Sequence, residues 1–344
     1  MTLRIAVLGV GRIGKMHAEL LARQVPGASL AMVQDINADA AAAVGEQLDV
    51  PHTTDPDVVL ASPDVDAVAI CSSTDTHVPF MIATARAGKA IFCEKPISLD
   101  LAKVDEALAV VAASGVPIQV GFNRRFDPAH ASVRAAVVDG SVGDLHMLRI
   151  TSRDPAPPPI AYIKVSGGIF LDMMIHDFDM ARFVTGSEVI DVYAQAAVRV
   201  DPAIGEAGDV DTAVVMLRHE NGCITTIDNS RQAVYGYDQR VEAFGSAGLA
   251  ASENAVTHTG VRRTAAGSIG ATIPYFFLDR YIPSYIDEWK SFVSYVTDGG
   301  PSPVSANDGR APLVIGLAAW KSYREGRLVR CDEIGSQITS SAVT

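Results

Sequence analysis

Asp172, His176 and Asp179 are the residues whose types and spacing most directly suggest chemistry. They lie four and three positions apart in the stretch 167–183, GGIFLDMMIHDFDMARF. In a helix, residues at this spacing share one face, and the apolar residues between them form a second face suited to a core. An imidazole beside carboxylates can accept a proton near neutral pH. We therefore predict one helix over 167–183 whose polar face lines a cleft.

A glycine motif near the start of the chain predicts a dinucleotide site. Residues 3–8, LRIAVL, are typical of a buried strand, and the spacing GxGxxG follows at 9–14, ahead of a helical pattern. In this context the glycines allow a tight turn, close approach of the backbone to a pyrophosphate and close helix–strand packing. The first N–H groups of the helix then face the phosphates. The predicted phosphate contacts are Gly9, Gly11, Arg12, Ile13 and Gly14.

Asp35 follows the second predicted strand, 30–34, and indicates which dinucleotide is bound. A carboxylate about 20 residues past the glycines hydrogen-bonds the ribose hydroxyls of the adenosine. It would repel a 2′-phosphate, and the neighbouring Ile36 offers no cation to receive one. We therefore predict NAD rather than NADP, with Asp35 and Ile36 beside the ribose.

Polar residues also follow three further predicted strands, 66–72, 90–94 and 116–121. Ligands of parallel sheets bind outside these carboxyl ends. Pro96 fixes the backbone after Lys95, so that the lysine ammonium can point into the cleft. The residues predicted to contact the cofactor here are Ser73, Thr74, His77, Glu94, Lys95 and Asn123, although His77 could equally cap the following helix.

The order of strands and helices predicts two domains. Strands alternate with helices through residues 1–122, which indicates an α/β protein with an N-terminal Rossmann domain, a doubly wound parallel sheet. Beyond it, β-rich runs between 191 and 246 follow one another without helices, and Asn221-Gly222 is a strong hairpin turn. We therefore predict a C-terminal α+β domain, 123–330, with a large, open, mainly antiparallel sheet.

The second domain is expected to bind substrate and to carry an oligomer interface. Helices would cover one face of its sheet and leave the other free to meet another subunit. We therefore predict a homo-oligomer, a tetramer or a dimer. A helix over 306–324 can pack back on the first domain, and residues 331–344 are predicted to be a polar tail.

Composition excludes several classes of protein. The 344 residues are 48% hydrophobic and 20% charged, which is typical of a globular chain, and the net charge of −12 comes without a Lys/Arg cluster. A nucleic-acid partner is therefore not expected. No apolar run reaches the roughly 18–20 residues that span a membrane, and no signal peptide is evident. The four cysteines form no CxxC pair, so a reduced, cytoplasmic protein is predicted.

Four features together resemble a known family: the glycine motif at 9–14, Asp35, Glu94-Lys95-Pro96, and the 167–183 stretch with its Gly-Gly pair. They are similar to the glucose–fructose oxidoreductase/inositol dehydrogenase (Gfo/Idh/MocA) family over nearly the whole chain. The string FLDMMIHDFDMARF and the segment Tyr235–Arg240 look closest to the bacterial inositol dehydrogenase branch. Met174 stands where the wider family often has Gly, which disfavours sugar-phosphate and sugar-nucleotide branches.

The resemblance implies an NAD-dependent dehydrogenase that oxidises a secondary hydroxyl of a cyclic polyol, with myo-inositol converted to 2-keto-myo-inositol. In that reaction His176 is the base, Asp172 orients it, and Lys95 stabilises the developing alkoxide. The same chemistry on another inositol isomer or an aldopyranose is one alternative. A non-catalytic dinucleotide-binding regulator is another, but it would be expected to lack Lys95 or His176.

The set of predicted substrate contacts favours a neutral polyol. Its carboxylates can accept hydrogen bonds from several hydroxyls, whereas they would repel an anionic substrate. The set comprises Lys95, Arg125, Asp154, Asp172, His176, Asp179 and Tyr235.

Two other interpretations of the 167–183 stretch are open. Asp172 and His176 could be an i,i+4 pair that only satisfies a partly buried helix. A histidine with two carboxylates could also hold zinc or iron. Asp179 and the dinucleotide motif favour the catalytic interpretation over the structural pair. Hydride transfer assisted by Lys95 needs no metal, so we predict a site without one.

Overall fold

The computed structural model describes residues 2–335, which divide into two compact units. Within this part of the chain, unit 1 comprises residues 2–123 and 285–311, and unit 2 comprises residues 124–284 and 312–335.

Unit 1 contains a six-stranded parallel sheet in the order β3-β2-β1-β4-β5-β6. Its inner strands are buried along their length, as expected where helices cover both faces of a parallel sheet. The predicted doubly wound Rossmann sheet is thereby confirmed. The strands are β1 (Leu3–Leu8), β2 (Ala28–Gln34), β3 (His52–Thr53), β4 (Ala67–Ile70), β5 (Ala90–Glu94) and β6 (Ile118–Gly121).

Side chains at the helix starts explain where several helices of unit 1 begin. Asn37, Asp55 and Asp100 each accept a hydrogen bond from a backbone N–H of the first turn, which satisfies donors that the helix leaves unpaired. The helices are α1 (Arg12–Arg23), α2 (Ala38–Leu48), α3 (Pro56–Ala61), α4 (Thr74–Arg86) and α5 (Leu101–Ser114).

Unit 2 is built on a seven-stranded sheet in the order β12-β11-β7-β10-β9-β8-β15. Its neighbours are antiparallel except for the parallel pair β7–β10, so the predicted mainly antiparallel sheet is confirmed. The strands are β7 (Leu145–Arg153), β8 (Val189–Ala197), β9 (Thr212–His219), β10 (Ile224–Ser230), β11 (Asp238–Gly245), β12 (Leu249–Ser252) and β15 (Val329–Arg330), and a separate hairpin pairs β13 (Arg262–Thr264) with β14 (Gly267–Ile269).

The predicted turn at Asn221-Gly222 joins β9 to β10. Gly222 has φ +86°, a conformation that glycine adopts without strain, and its N–H donates to the His219 carbonyl at 3.0 Å. Along β9, buried Val215 and Leu217 alternate with exposed Val214 and Met216. One face of the sheet is therefore packed and the other is open within unit 2.

The 167–183 stretch is not one helix, and the prediction of an uninterrupted helix is wrong. Gly168–Asp172 and Ile175–Thr185 are separate helices, α8 and α9. Between them the Met174 N–H donates to the Ile169 carbonyl, five residues earlier, at 2.8 Å. This widens the turn by one residue, as in a π-bulge, and the chain stays close to helical geometry across it.

The other helices of unit 2 include one that the sequence did not predict, α7 (Ile160–Ser166), directly after the predicted loop at 154–159. Two long helices, α11 (Phe277–Asp298) and α12 (Ala306–Glu325), each have residues in both units, because residues 285–311 belong to unit 1. Outside the described residues lie 336–344 of the predicted tail, whereas Cys331–Glu333 form a 3-10 turn. The other helices are α6 (Pro128–Val138) and α10 (Pro202–Glu206).

Candidate active site

The glycine turn of unit 1 has the shape that a pyrophosphate requires. Gly9 has φ +83°, and a Cβ on Gly14 would lie 1.8 Å from the Gly9 carbonyl oxygen, so the turn closes only with glycine at both positions. A Cβ on Gly11, by contrast, would meet no atom within 4 Å. The backbone at Gly11 therefore faces open space at the start of α1, where helix N–H groups attract phosphates. Arg12 and Ile13 form the first turn of that helix.

Asp35 holds this turn in place as well as standing at the predicted ribose position. Its Oδ2 accepts a hydrogen bond from the Val10 N–H at 2.8 Å, and its Oδ1 accepts one from the Asn37 N–H at 2.9 Å. A carboxylate has further lone pairs, so these bonds leave Asp35 able to accept ribose hydroxyls. Ile36 is 91% exposed beside it and supplies no charge. The link from Asp35 to Val10 was not evident from the sequence.

The predicted residues after β4 differ in exposure. Ser73 caps α4 and Thr74 begins it, so both stand at a helix N-terminus. His77 is buried, and its ring nitrogens lie 2.9 Å from the Pro96 carbonyl oxygen and 3.0 Å from that of Ser72. Burial lowers the pKa of His77. His77 thus ties two strand ends together, and its contact with the cofactor stays a prediction.

Glu94 is fixed by a buried histidine that the sequence did not single out. Trp289 donates from Nε1 to His17 Nδ1 at 2.9 Å, so the ring proton of His17 is on Nε2, which donates to Glu94 Oε1 at 2.8 Å. The other Glu94 oxygen, Oε2, accepts the Lys95 N–H at 3.2 Å. Together these bonds hold the strand end that carries Lys95. Asn123, also predicted to contact the cofactor, is buried at the start of a 3-10 turn.

In unit 2, both oxygens of Asp172 accept hydrogen bonds. Tyr162 donates its hydroxyl to Oδ1 at 2.8 Å, and Arg231 donates from Nη1 to Oδ2 at 3.0 Å. Asp172 ends α8 and His176 lies in the first turn of α9, so the two stand on either side of the widened turn. Both are partly exposed, whereas most of their neighbours are buried. The two side chains are thus only partly exposed, with Asp172 at 12%, and the Nδ1 atom of His176 is buried.

Asp179 and Arg125, both predicted to bind substrate, form an ion pair with each other. Arg125 donates from Nε to Asp179 Oδ2 at 2.8 Å and from Nη2 to Oδ1 at 2.5 Å, and the Asp179 side chain is 1% exposed. Such a bidentate pair is geometrically specific and among the stronger hydrogen-bonded arrangements. The guanidinium also lies over the Phe183 ring, 5.3 Å from its centroid. Whether either residue contacts substrate stays a prediction.

Arg124 belongs to a buried polar cluster in unit 2. It donates from Nη1 to Asp177 Oδ1 at 2.7 Å and from Nη2 to the Tyr237 hydroxyl at 3.3 Å. Asn229 donates to the other oxygen of Asp177 at 3.0 Å. Burial raises the pKa of Asp177 to about 6, against the opposing effect of the Arg124 guanidinium. The cluster explains why Asp177, next to His176 in the sequence, points into the core.

The remaining predicted substrate residues lie apart from this cluster. Asp154 is partly exposed, 3.9 Å from Arg231, and its removal from water raises its pKa to about 6. Tyr235 donates its hydroxyl to Asp238 Oδ2 at 2.7 Å and accepts from Arg153 at 3.0 Å. It is 52% exposed, so one side of the ring is open to a ligand.

Three further observations concern a surface cleft, metal binding and membrane crossing. A surface cleft of about 480 Å³, lined by residues 255–257, 272–275 and 279–280, contains none of the predicted site residues. Within residues 2–335, no group of three or more His, Cys, Asp and Glu side chains is arranged to hold a metal. In the same range, no helix is both long enough and apolar enough to cross a membrane.

Comparison with known proteins gives full-length matches. Residues 3–122 match the family model described as an oxidoreductase family with an NAD-binding Rossmann fold, and residues 130–251 match the GFO/IDH/MocA C-terminal domain. The myo-inositol 2-dehydrogenase of Thermotoga maritima is 50% identical over 96% of this chain and 99% of its own length. The inositol 2-dehydrogenase of Rhizobium meliloti is 46% identical over 96% and 99%.

A solved structure is similar over the same extent. The scyllo-inositol dehydrogenase from Lactobacillus casei, with bound NAD(H) and scyllo-inositol, has a TM-score of 0.90 and 28% sequence identity. The match covers 96% of this chain and 100% of that one.

Proposed function

Because the chain belongs to the GFO/IDH/MocA oxidoreductase family, with an NAD-binding Rossmann domain at residues 3–122, we propose that it oxidises myo-inositol. The product is the ketone at one ring carbon, 2-keto-myo-inositol. The observation that carries this proposal is full-length identity of 50% and 46% to two proteins named as inositol 2-dehydrogenases. The partly exposed Asp172 and His176, on either side of the widened turn, support it, because alcohol oxidation needs a base.

Residues of unit 1 are assigned to the cofactor. Gly9, Gly11 and the start of α1 would hold the pyrophosphate, and Asp35 would accept the ribose hydroxyls. The open space at Gly11 fits binding of the pyrophosphate. Ile36, exposed beside Asp35, carries no positive charge that could bind a 2′-phosphate, and this favours NAD over NADP. When bound, NAD⁺ supplies an acceptor for the hydride that leaves the substrate carbon.

Three residues are assigned to the chemical step. His176 takes the proton from the substrate hydroxyl, since an imidazole titrates in the range where it can act as a base at neutral pH. Asp172 orients the imidazole and stabilises the positive charge that it acquires. Lys95 places an ammonium where negative charge develops on the substrate oxygen, and such fixed charges usually contribute most to a rate. The Lys95 backbone is held by Glu94, which His17 fixes in turn.

Polar groups of unit 2 suit a neutral ring that carries several hydroxyls. Asp154 and Asp172 are partly exposed and Tyr235 is exposed, and carboxylates accept hydrogen bonds from hydroxyls. An anionic substrate would meet the carboxylates of Asp154 and Asp172 and be repelled. Asp179 is assigned a substrate contact only together with Arg125, because each already neutralises the charge of the other.

A second candidate substrate is scyllo-inositol. A structural neighbour at 28% identity was solved with NAD(H) and that isomer, and it covers nearly the whole chain. The two isomers differ only in the orientation of one hydroxyl, so the same residues could carry out both reactions.

A substrate panel tests the proposal. We expect the purified protein to form NADH from NAD⁺ with myo-inositol at a kcat in the ordinary enzyme range, about 1–10³ s⁻¹. Scyllo-inositol, glucose and a hexose phosphate are compared in the same absorbance assay. If kcat/KM were higher for scyllo-inositol than for myo-inositol, scyllo-inositol would be the preferred substrate. If no inositol gave NADH, the proposal would be rejected.

The proposed quaternary state is a homo-oligomer that uses the open face of the unit 2 sheet. Met147, Ile224 and Phe244 are exposed and lie side by side across three strands, since Met147 pairs with both of the others. Val214 and Met216 extend this apolar face on β9. Exposed apolar areas of this kind mark protein–protein interfaces, and the partner proposed here is a second copy of the chain.

Substitution on that face tests the interface. We expect Met147→Lys to shift sedimentation toward the monomer, whereas Val138→Lys, at an exposed apolar residue of α6, leaves it unchanged. A wild-type protein that sediments as a monomer at micromolar concentration would contradict the proposal.

The four cysteines are buried free thiols, which supports a reducing, cytoplasmic location.

A further inference from the structure

We infer that Tyr162 and Arg231 are positioning residues that hold the Asp172 carboxylate in its working orientation. The inference rests on the proposed function, in which Asp172 orients His176. Neither Tyr162 nor Arg231 is assigned to substrate or cofactor, and each acts through the carboxylate.

Arg231 approaches Asp172 from the buried side. Its side chain is 1% exposed, it follows the last residue of β10, and its backbone N–H donates to the Asp211 carbonyl at 2.8 Å. The guanidinium faces three carboxylates, with Asp172 at 3.0 Å, Asp209 at 3.8 Å and Asp154 at 3.9 Å. It makes its direct hydrogen bond to Asp172. Arg231 is therefore placed to fix one oxygen of Asp172 and to offset its charge.

Asp209 links this arrangement to the Gly-Gly pair at the start of α8. Its Oδ1 accepts the Ile169 N–H at 3.0 Å, in the first turn of the helix that ends at Asp172. A Cβ on Gly168 would lie 2.5 Å from that same oxygen, so glycine is required for Asp209 to approach. The Asp209 carboxylate therefore contacts both α8, which carries Asp172, and Arg231, which binds Asp172.

Tyr162 approaches Asp172 from the exposed side. It lies on α7 with 47% of its surface exposed, and its hydroxyl donates to Oδ1 at 2.8 Å. Burial of the hydroxyl, followed by the nearby Asp172 charge, raises the pKa of Tyr162, so the hydroxyl stays protonated and remains a donor. With one donor on each oxygen, the carboxylate cannot rotate about its terminal bond without losing both hydrogen bonds.

This arrangement matters because an orienting carboxylate acts through geometry. Residues that hydrogen-bond a catalytic side chain and fix its orientation typically influence the rate as strongly as some groups that contact the substrate. The charges around Arg231 add a second effect. Asp154, Asp172 and Asp209 face it directly, and Arg124 and Asp177 act on Asp154 from further away. Without the guanidinium, three neighbouring carboxylates would take up protons more readily.

Tyr162→Phe is the first test, because an exposed tyrosine can lose its hydroxyl without unfolding the chain. We expect kcat for inositol oxidation to fall about 3- to 10-fold, the usual effect of one hydrogen bond, with KM for NAD⁺ unchanged. Tyr275, a tyrosine of the same unit that is 61% exposed against 47% for Tyr162, provides the matched control, Tyr275→Phe. A kcat for Tyr162→Phe equal to that of the control would overturn the inference.

A double substitution separates positioning from direct contact. In an Asp172→Asn background, Tyr162→Phe is expected to cause no further loss, because the hydroxyl acts only through the carboxylate. An equal loss of kcat in both backgrounds would show that Tyr162 acts independently of Asp172 and would reject its role.

Arg231 is tested by its charge as well as its shape. We expect Arg231→Gln to lower kcat about 10- to 100-fold and to move the acid limb of the kcat–pH profile up by about one pH unit. Arg231→Lys keeps the charge, so its acid limb stays near that of the wild type while kcat falls. An unmoved acid limb in folded Arg231→Gln protein would remove Arg231 from the inference, and if that variant does not fold, full kcat in Arg231→Lys would do the same.

A wild-type protein that forms no NADH with any inositol would reject the proposed function, and the inference with it.

Discussion

Replacing His176 with alanine is expected to lower kcat for inositol oxidation about 10²- to 10⁴-fold, the range in which a positioned general base contributes. The alkoxide would then have to form by loss of a proton to water, which is a far weaker base. Binding of NAD should be unchanged, because the glycine turn and Asp35 belong to unit 1 and His176 to unit 2. Steady-state kinetics with myo-inositol and a separate titration of NADH binding measure the two quantities.

The control for this substitution is His258→Ala. His258 is an exposed histidine of the same unit, outside the helices and strands, and its removal should leave kcat as in the wild type. If His176→Ala retained near-wild-type kcat while folding normally, His176 would not be the base, and the partly exposed carboxylate of Asp172 would be the next candidate.

Lys95→Met is expected to have the second large effect, a fall in kcat of about 10²- to 10³-fold, comparable to removal of one oxyanion-stabilising donor. Methionine keeps the apolar stem and removes only the ammonium. Because the ammonium stabilises charge that exists only in the transition state, kcat and kcat/KM for inositol should fall by similar factors. Initial-rate kinetics over a range of inositol concentrations measure both.

Lys103→Met supplies the matched comparison, since Lys103 is an exposed lysine of α5 in the same unit. It should leave both constants unchanged. A Lys95→Met enzyme with raised KM and unaltered kcat would instead show that the lysine binds substrate and transition state equally, which would contradict its proposed role.

The parts of the fold that could be predicted are those that local sequence determines. The strand at 3–8 and the glycine turn after it depend on residues adjacent in the chain, so their pattern identifies them. The turn at Asn221-Gly222 is equally local, because it needs the positive φ that Gly222 supplies. The alternation of buried and exposed residues on β9 likewise follows from the two faces of a strand.

The break between α8 and α9 could not be predicted, because no proline or glycine lies between Asp172 and His176. The helix that ends at this break, α8, contacts residues from distant parts of the chain. A Cβ on Gly316, far along the chain, would lie 2.4 Å from the Leu171 side chain, and Asp172 is bonded to Arg231. These contacts join residues that are far apart in sequence, and periodicity contains no information about them.

The candidate site shows the same division between local and distant determinants. Asp172 and His176 could be found because they are close together in the sequence and of reactive types. Arg231 and Tyr162 could not, since an arginine after a strand and a tyrosine after a proline-rich loop have no distinguishing local pattern. For the same reason, no local pattern indicates that Arg125 and Asp179, 54 residues apart, pair with each other.

In the proposed reaction, a hydride leaves one carbon of an inositol ring and is transferred to NAD⁺. Myo-inositol carrying deuterium at C2 tests this transfer, with mass spectrometry of the cofactor and the product after a single incubation. We expect reduced cofactor that carries one deuterium, and a ketone product that has lost it. Reduced cofactor without deuterium, or no reduced cofactor at all, would show that this hydride transfer does not take place.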